Sequence, residues 1–352
     1  MKRRSFQVSN LKSANDMHAI SWVSVVTFLV GVAGWIYSQL RRIYSDALLN
    51  PDGTPAIDET VTRPMLDMSK TCVRLSALIY DRWEDLHRVL AIDGWKVDEV
   101  IQSRDRSAVC AVLFRDDGPA PSCIVVWRGT SLLNRRQLQA NRELSMTELT
   151  VNLPGTASEN FRYQIPGKVH SGLAAEFLSV SDQLLCAIRR HVRAGRNVYV
   201  TGHSQGAGLA CVTVAAMRCM AYVNKQPLFY PGGLITFGCL RPGDAEFCDL
   251  VTDSCTYSPA DGEFGVLRYR NNNDIVPLLP LLCRGYRHAG DELYIWPNGA
   301  VSKNPVWVLK LIQHVLPYLR GIYGDGFADH RVSEYVKQIE LIQIPEPAPS
   351  NA

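Results

Sequence analysis

The stretch VYVTGHSQGAGLACV, from Val198 to Val212, constrains the fold more than any other part of the chain. An apolar, β-rich run stops at Gly202. One serine then stands between two glycines as GHSQG, and an alanine-rich helical run follows. This is a G-x-S-x-G pattern at a strand-to-helix junction, a turn that strains its central residue and leaves no room for side chains two positions to either side. Such a turn lifts the Ser204 hydroxyl clear at the carboxyl edge of a parallel sheet, where α/β folds bind ligands.

The rest of the chain repeats the alternation. Strand candidates are 108–115, 123–127, 197–200, 233–237, 266–269 and 286–296, and helical candidates are 65–90, 172–194, 205–223 and 305–319. Apolar β-rich runs alternating with longer helical ones predict an α/β fold, a mainly parallel central sheet with helices on both faces. With 352 residues, 47% of them hydrophobic, the chain has enough apolar surface for one large domain of this kind.

An uncharged run of 22 residues, AISWVSVVTFLVGVAGWIYSQL, occupies 19–40. As a helix it reaches about 33 Å, enough to cross a bilayer core. Trp22, Trp35 and Tyr37 lie toward its ends and Arg41 with Arg42 closes it, so a single N-terminal transmembrane helix is expected. A buried core helix and a cleaved signal peptide are the other readings. The expected organisation is a basic N-terminal segment over 1–18, the span over 19–40, a linker over 41–60, a catalytic domain over 61–342 and a loose tail over 343–352. The protein is thus expected at a membrane, anchored by its N-terminus, with the basic residues on the two flanks too evenly balanced to fix its orientation.

Net charge is +3, with acids and bases intermixed, which gives no compositional support for nucleic-acid binding. The ten cysteines lack the paired spacing of a zinc site and read mostly as small buried hydrophobes, with a local Cys248–Cys255 disulfide as an alternative for that pair.

A serine hydroxyl is a weak nucleophile without a base, and the base needs an orienting acid. In this architecture the chain order is Ser, then Asp or Glu, then His. Only His288, His314 and His330 follow far enough. His314 sits in an apolar helical run, His288 in a late strand, and His330 after the flexible GIYGDGFAD loop, where a base can be presented over a site. The reading favours His330. His203, beside the serine, is expected to pack in support of the turn. For the acid, Asp274 comes directly after a strand in VLRYRNNNDIVPLLP and just before a proline that stops the strand continuing. Asp244, Asp249 and Asp253 belong to an earlier surface helix, and Asp325 and Asp329 to the His330 loop. Donors for an oxyanion are expected from the backbone N–H of Gln205 and from Thr130, at the end of CIVVWRGT.

Together these pieces resemble the class 3, fungal-type lipases of the α/β-hydrolase fold. VVWRGT is similar to that family's oxyanion strand, VHSGL to the segment before the elbow, VTGHSQGAGLA to the elbow, and TFGCLRPGD to the loop after it. RNNNDIVPLLP is similar to the acid loop, GYRHAGDELYIW to a late strand and FADHRVSEY to the closing histidine segment. The resemblance spans about Arg63 to Ile342. It implies Ser204 as nucleophile, Asp274 as acid, His330 as base, Thr130 and Gln205 as the oxyanion hole, a structural role for His288, and no metal or organic cofactor.

The chain departs from the family where 131–153 is longer, basic and free of tryptophan, and where Gln205 stands in place of a common leucine. Over 131–153, leucines alternate with Arg135, Arg136 and Arg142, the pattern of a lid helix that meets lipid; a solvated loop is the alternative. The expectation is a membrane-tethered serine hydrolase acting on acyl glycerolipid esters, whose partners are that lipid ester and a membrane surface. Phospholipase A1 or an acyltransferase is the alternative activity, and an inactive lipase-like scaffold the alternative that is not an enzyme.

Overall fold

The computed structural model of the chain describes residues 48–50, 53–80, 94–117, 120–129, 145–154, 160–255, 257–258, 263–281, 284–306, 310 and 325–344, with scattered positions between 24 and 39. Two compact units separate at Ala56 and Ile57. In the first, the described positions between 24 and 39 are helical, and Leu49 pairs with Pro55 across a turn at Gly53.

The second unit is built on a sheet that has nine strands among the described residues. Its strands in chain order are β1 (Lys96–Gln102), β2 (Val109–Arg115), β3 (Ser122–Trp127), β6 (Asn197–His203), β7 (Gly233–Phe237), β8 (Tyr257–Ser258), β9 (Glu263–Asn271), β10 (Asp291–Ile295) and β11 (Val301–Lys303). β4 (Met146–Pro154) and β5 (Asn160–His170) form a separate antiparallel pair. Spatial order is β1-β2-β3-β6-β7-β9-β10-β11, with β8 against β9. β3, β6, β7, β9 and β10 run parallel, and β1, β2 and β11 add antiparallel edges.

The parallel strands are buried on both faces, and that is why their sequences read as continuous apolar runs. Along β3, Cys123, Val125 and Trp127 enter one core while Ile124 and Val126 enter the other. The longer helices among the described residues of this unit are α1 (Arg63–Leu78), α2 (Ser171–Leu178), α3 (Ser181–Arg193), α4 (Gln205–Asn224), α5 (Ala245–Thr252) and α6 (Val332–Leu341). α1 and α6 cover the second core, and α2 to α5 cover the first. Helices on both faces of a mainly parallel sheet are thus observed.

Several boundaries differ from the sequence reading. α1 ends at Leu78, and 81–90 lie outside the described residues. The run 172–194 is two helices, because the Ser179 hydroxyl donates to the Glu176 carbonyl at 2.6 Å and takes the place of continued backbone pairing. The late strand shrinks to Asp291–Ile295, preceded by Gly290 at φ +68°. Part of the expected lid segment is a strand instead: β4 buries Leu149, Val151 and Leu153 in the first core, while 131–144 lie outside the described residues. So do most of 19–40, the tail from 345 and all of 305–319 except Pro305, Val306 and Lys310. Cys248 and Cys255 are both buried thiols, and no local disulfide joins them. Among the described residues, the one helix long and apolar enough to cross a membrane is α4, which is the buried core helix behind the elbow.

Candidate active site

β6 ends at His203 and α4 begins at Gln205, leaving Ser204 alone in the turn at φ 61° and ψ −127°. A non-glycine residue in that region is strained, and the surrounding packing must hold it. It does so by backbone contact. A Cβ at Gly202 would lie 2.4 Å from the Gly206 carbonyl oxygen, and one at Gly206 would lie 2.5 Å from the Trp127 carbonyl oxygen. The small residues of GHSQG are therefore spacers between β6, α4 and the end of β3.

Ser204 Oγ is 2.8 Å from His330 Nε2, and His330 Nδ1 is 2.9 Å from Asp274 Oδ2. Ser204 donates to Nε2 and Nδ1–H donates to the carboxylate, the tautomer fixed by the acid. Asp274 is fully buried. Its Oδ1 accepts the Val276 N–H at 2.9 Å, and its Oδ2 also accepts the Tyr335 hydroxyl at 2.6 Å. A buried carboxylate needs this many donors to stand in place of water. The structure thus brings together three residues that lie 126 and 56 positions apart in sequence.

Neighbouring side chains hold the acid and base loops. Asp329 Oδ2 accepts from Asn272 Nδ2 at 3.0 Å and from the Asn273 N–H at 3.1 Å, which ties the base loop to the acid loop. On the other side of Asp274, four consecutive carbonyls turn inward. His288 Nε2–H donates to Pro277 at 2.7 Å, the Arg241 guanidinium to Leu278 and Pro280, and the Arg241 N–H to Leu279 at 2.8 Å. His288 is therefore committed to the loop and does not approach Ser204. Burial and the nearby Arg268 hold its pKa well below the ordinary histidine value, so it stays neutral. His314 lies outside the described residues. Asp244 caps α5 by accepting the Phe247 N–H, and Asp249 and Asp253 lie in and at the end of that helix.

His203 buttresses the turn. Its Nε2–H donates to the His330 carbonyl at 2.7 Å, and its Nδ1 accepts from the Tyr80 hydroxyl at 2.9 Å. Its ring lies 4.7 Å from the His330 ring. Burial, reinforced by His330, pushes its pKa down to about 3. Tyr80 in turn accepts the Gly129 N–H, so the end of α1, the end of β3 and the base loop meet on one imidazole.

Of the two expected oxyanion donors, Thr130 lies outside the described residues. Gln205 is at the first position of α4, with its side-chain Nε2 2.9 Å from Glu176 Oε1. Sequence reasoning missed Tyr335, Tyr80, Arg241 and Glu176 as neighbours of the site. Only Tyr335 carried a signal, as the buried position of the helix that follows His330.

The family model for Lipase (class 3) matches residues 124–283. Secreted mono- and diacylglycerol lipase 1 of Fusarium solani is 32% identical over 142 residues, 39% of this chain and 36% of that protein. Phospholipase A1-II 1 of Oryza sativa subsp. indica is 27% identical over 188 residues, 49% of this chain and 42% of that protein. The chain spans about half or less of the length of these two curated relatives. Among solved structures, a lipase from Rhizopus microsporus var. chinensis superposes with a TM-score of 0.51 at 21% identity, over 70% of this chain and 80% of that one. This likeness is one of fold, the α/β-hydrolase fold.

Proposed function

We propose that the chain is a serine hydrolase that cleaves carboxylic esters of acyl glycerolipids by way of an acyl-enzyme, a reading supported by the match of residues 124–283 to the class 3 lipase family model. The observation that carries the reading is the continuous relay from Ser204 Oγ through His330 to the buried Asp274. His330 Nε2 takes the Ser204 proton as Oγ attacks the ester carbonyl, and Asp274 stabilises the imidazolium that forms. The oxyanion of the tetrahedral intermediate accepts the Gln205 N–H, and Thr130 serves as the second donor. The C–O bond breaks, His330 returns the proton to the departing alcohol, and a water repeats the sequence to free the fatty acid. These steps use no metal or organic cofactor.

The substrate class rests on the mono- and diacylglycerol lipases among the relatives. The rice phospholipase A1 supports a second reading, in which the ester belongs to a phosphoglyceride. We further propose that 19–40 anchors the enzyme in a membrane. The support is the uncharged run of 22 residues itself, long enough as a helix to cross a bilayer core, in which the described Phe28 and Trp35 are 69% and 63% exposed.

A fluorophosphonate probe tests the reading directly. The wild-type chain should be labelled and should hydrolyse a short-chain ester, and Ser204→Ala, Asp274→Asn and His330→Ala should each lose about 10³-fold or more in kcat. The double variant Ser204→Ala with His330→Ala should be little worse than either single one. A wild type that is neither labelled nor active on mono-, di- or phosphoglycerides would mark the chain as an inactive scaffold.

A further inference from the structure

Glu176 is buried, 7% exposed, on the face of α2 that packs against α4. Its Oε1 accepts the Nε2–H of Gln205, itself only 2% exposed, at 2.9 Å. The triad uses neither side chain. A buried amide and a buried carboxyl group are costly unless they satisfy each other, and an apolar pair at this helix contact would avoid the cost altogether. The pair sits where that cost has a use. Gln205 directly follows Ser204, and rotating its peptide would move the N–H aimed at the oxyanion. A side chain pinned to another helix removes that freedom.

We propose that Glu176 and Gln205 are a positioning pair for the reaction: the carboxyl group on α2 fixes the first turn of α4, and its charge tunes the reactivity of Ser204. This rests on the hydrolase reading above. Among the described residues, the charged groups that act on the carboxyl group are Asp105, in the turn between β1 and β2, and Arg128, directly after β3. Burial outweighs the Gln205 hydrogen bond and Arg128, and Glu176 is raised to about 7. Below that pH the group is neutral, and its carbonyl oxygen still accepts from Gln205. Above it, a negative charge stands close to a site that must itself stabilise a developing oxyanion, and it opposes that charge.

The test measures fluorophosphonate labelling rate, kcat and KM on a soluble short-chain ester between about pH 5 and pH 9, along with melting temperature, for wild type, Glu176→Gln and Glu176→Leu. Glu176→Leu removes the acceptor that holds Gln205 Nε2 and should lower kcat about tenfold with little change in KM. Glu176→Gln keeps the acceptor and should recover most of that loss. Above about pH 7 the wild type should label about three- to tenfold more slowly than Glu176→Gln, a gap that closes below pH 6. Because the carboxyl binds its proton more tightly when folded, wild type should also lose melting temperature relative to Glu176→Gln as pH rises from about 4.5 to 7, and hold a constant offset above that.

Superimposable pH profiles of labelling for wild type and Glu176→Gln, or a kcat for Glu176→Leu equal to wild type, would overturn the proposal. Failure of the wild type to label at all would instead overturn the hydrolase reading. In that case the melting temperatures still decide whether this pair titrates: a wild-type offset that is the same at pH 5 and pH 8 would overturn it.

Discussion

Tyr335 donates its hydroxyl to Asp274 Oδ2 at 2.6 Å, the same oxygen that His330 Nδ1 holds at 2.9 Å. The tyrosine is fully buried on α6 and accepts the Asn271 N–H at 3.0 Å. Burial and the neighbouring Asp274 raise its pKa well above the ordinary tyrosine value, so it is a permanent donor. Tyr335→Phe removes one of the carboxylate's donors and strands a backbone N–H. It should cost about 1–3 kcal/mol of stability by chemical denaturation and lower kcat about tenfold at unchanged KM. An unaltered kcat would reduce the tyrosine to a packing residue of α6.

His203 should show itself in acid. Its pKa is near 3 in the folded protein and near 6.5 when unfolded, so the unfolded chain binds the proton first. Its contribution is complete above about pH 6.5 and is lost as pH falls toward 3. Relative to a His203→Gln variant, wild type should therefore lose about 3 kcal/mol of stability between pH 7 and pH 4. Parallel denaturation curves for the two proteins over that range would contradict this account.

Two glycines in one turn of α4 make a matched pair. A Cβ at Gly206 would stand 2.5 Å from the Trp127 carbonyl oxygen and 2.8 Å from the Arg128 carbonyl carbon, both backbone atoms that cannot yield. At Gly208 the nearest atom is Leu173 Cδ1 at 2.7 Å, the end of a side chain that can rotate. Gly206→Ala should abolish folding or lower the melting temperature by more than about 10 °C. Gly208→Ala should cost a fraction of that, and equal losses would show that the close approach of β3 is not what selects glycine.

Truncation tests the anchor. Full-length chain should remain in the membrane fraction through a carbonate wash, and a chain beginning at Ile57, where the second compact unit starts, should be soluble and still hydrolyse a short-chain ester. Release of full-length protein by carbonate would make the 19–40 segment peripheral or cleaved.

The elbow, the parallel strands and the order of Ser204, Asp274 and His330 were legible because each rests on a local rule. An apolar run buried on both faces, a glycine forced by a close approach and a loop after a strand all leave marks within a few residues. β1, β4 and β5 left none of comparable strength. KVDEVIQ is an antiparallel edge strand half open to solvent, and β4 and β5 form a hairpin off the sheet whose polar positions hide the alternation. The clamps were illegible for another reason. The partners of Arg241, His203 and Glu176 lie 37 and 39, 127 and 29 residues away, and nothing in a single sequence says that a buried arginine will gather carbonyls rather than a carboxylate.

β7 lies between the strand that carries Ser204 and the strand that leads to Asp274, paired with β6 through His203 and Phe237 and with β9 through Phe237 and Tyr269. Neighbouring strands stand about 4.8 Å apart, so the nucleophile and the acid are held roughly 10 Å from each other by the sheet itself. No direct contact bridges that distance, whereas an imidazole between hydrogen bonds of 2.8 and 2.9 Å spans most of it. The middle strand is thus a ruler. It contributes no side chain to the relay, yet its width sets the gap that the histidine must fill, and any change in twist between β6 and β9 will be read out as the length of those two bonds.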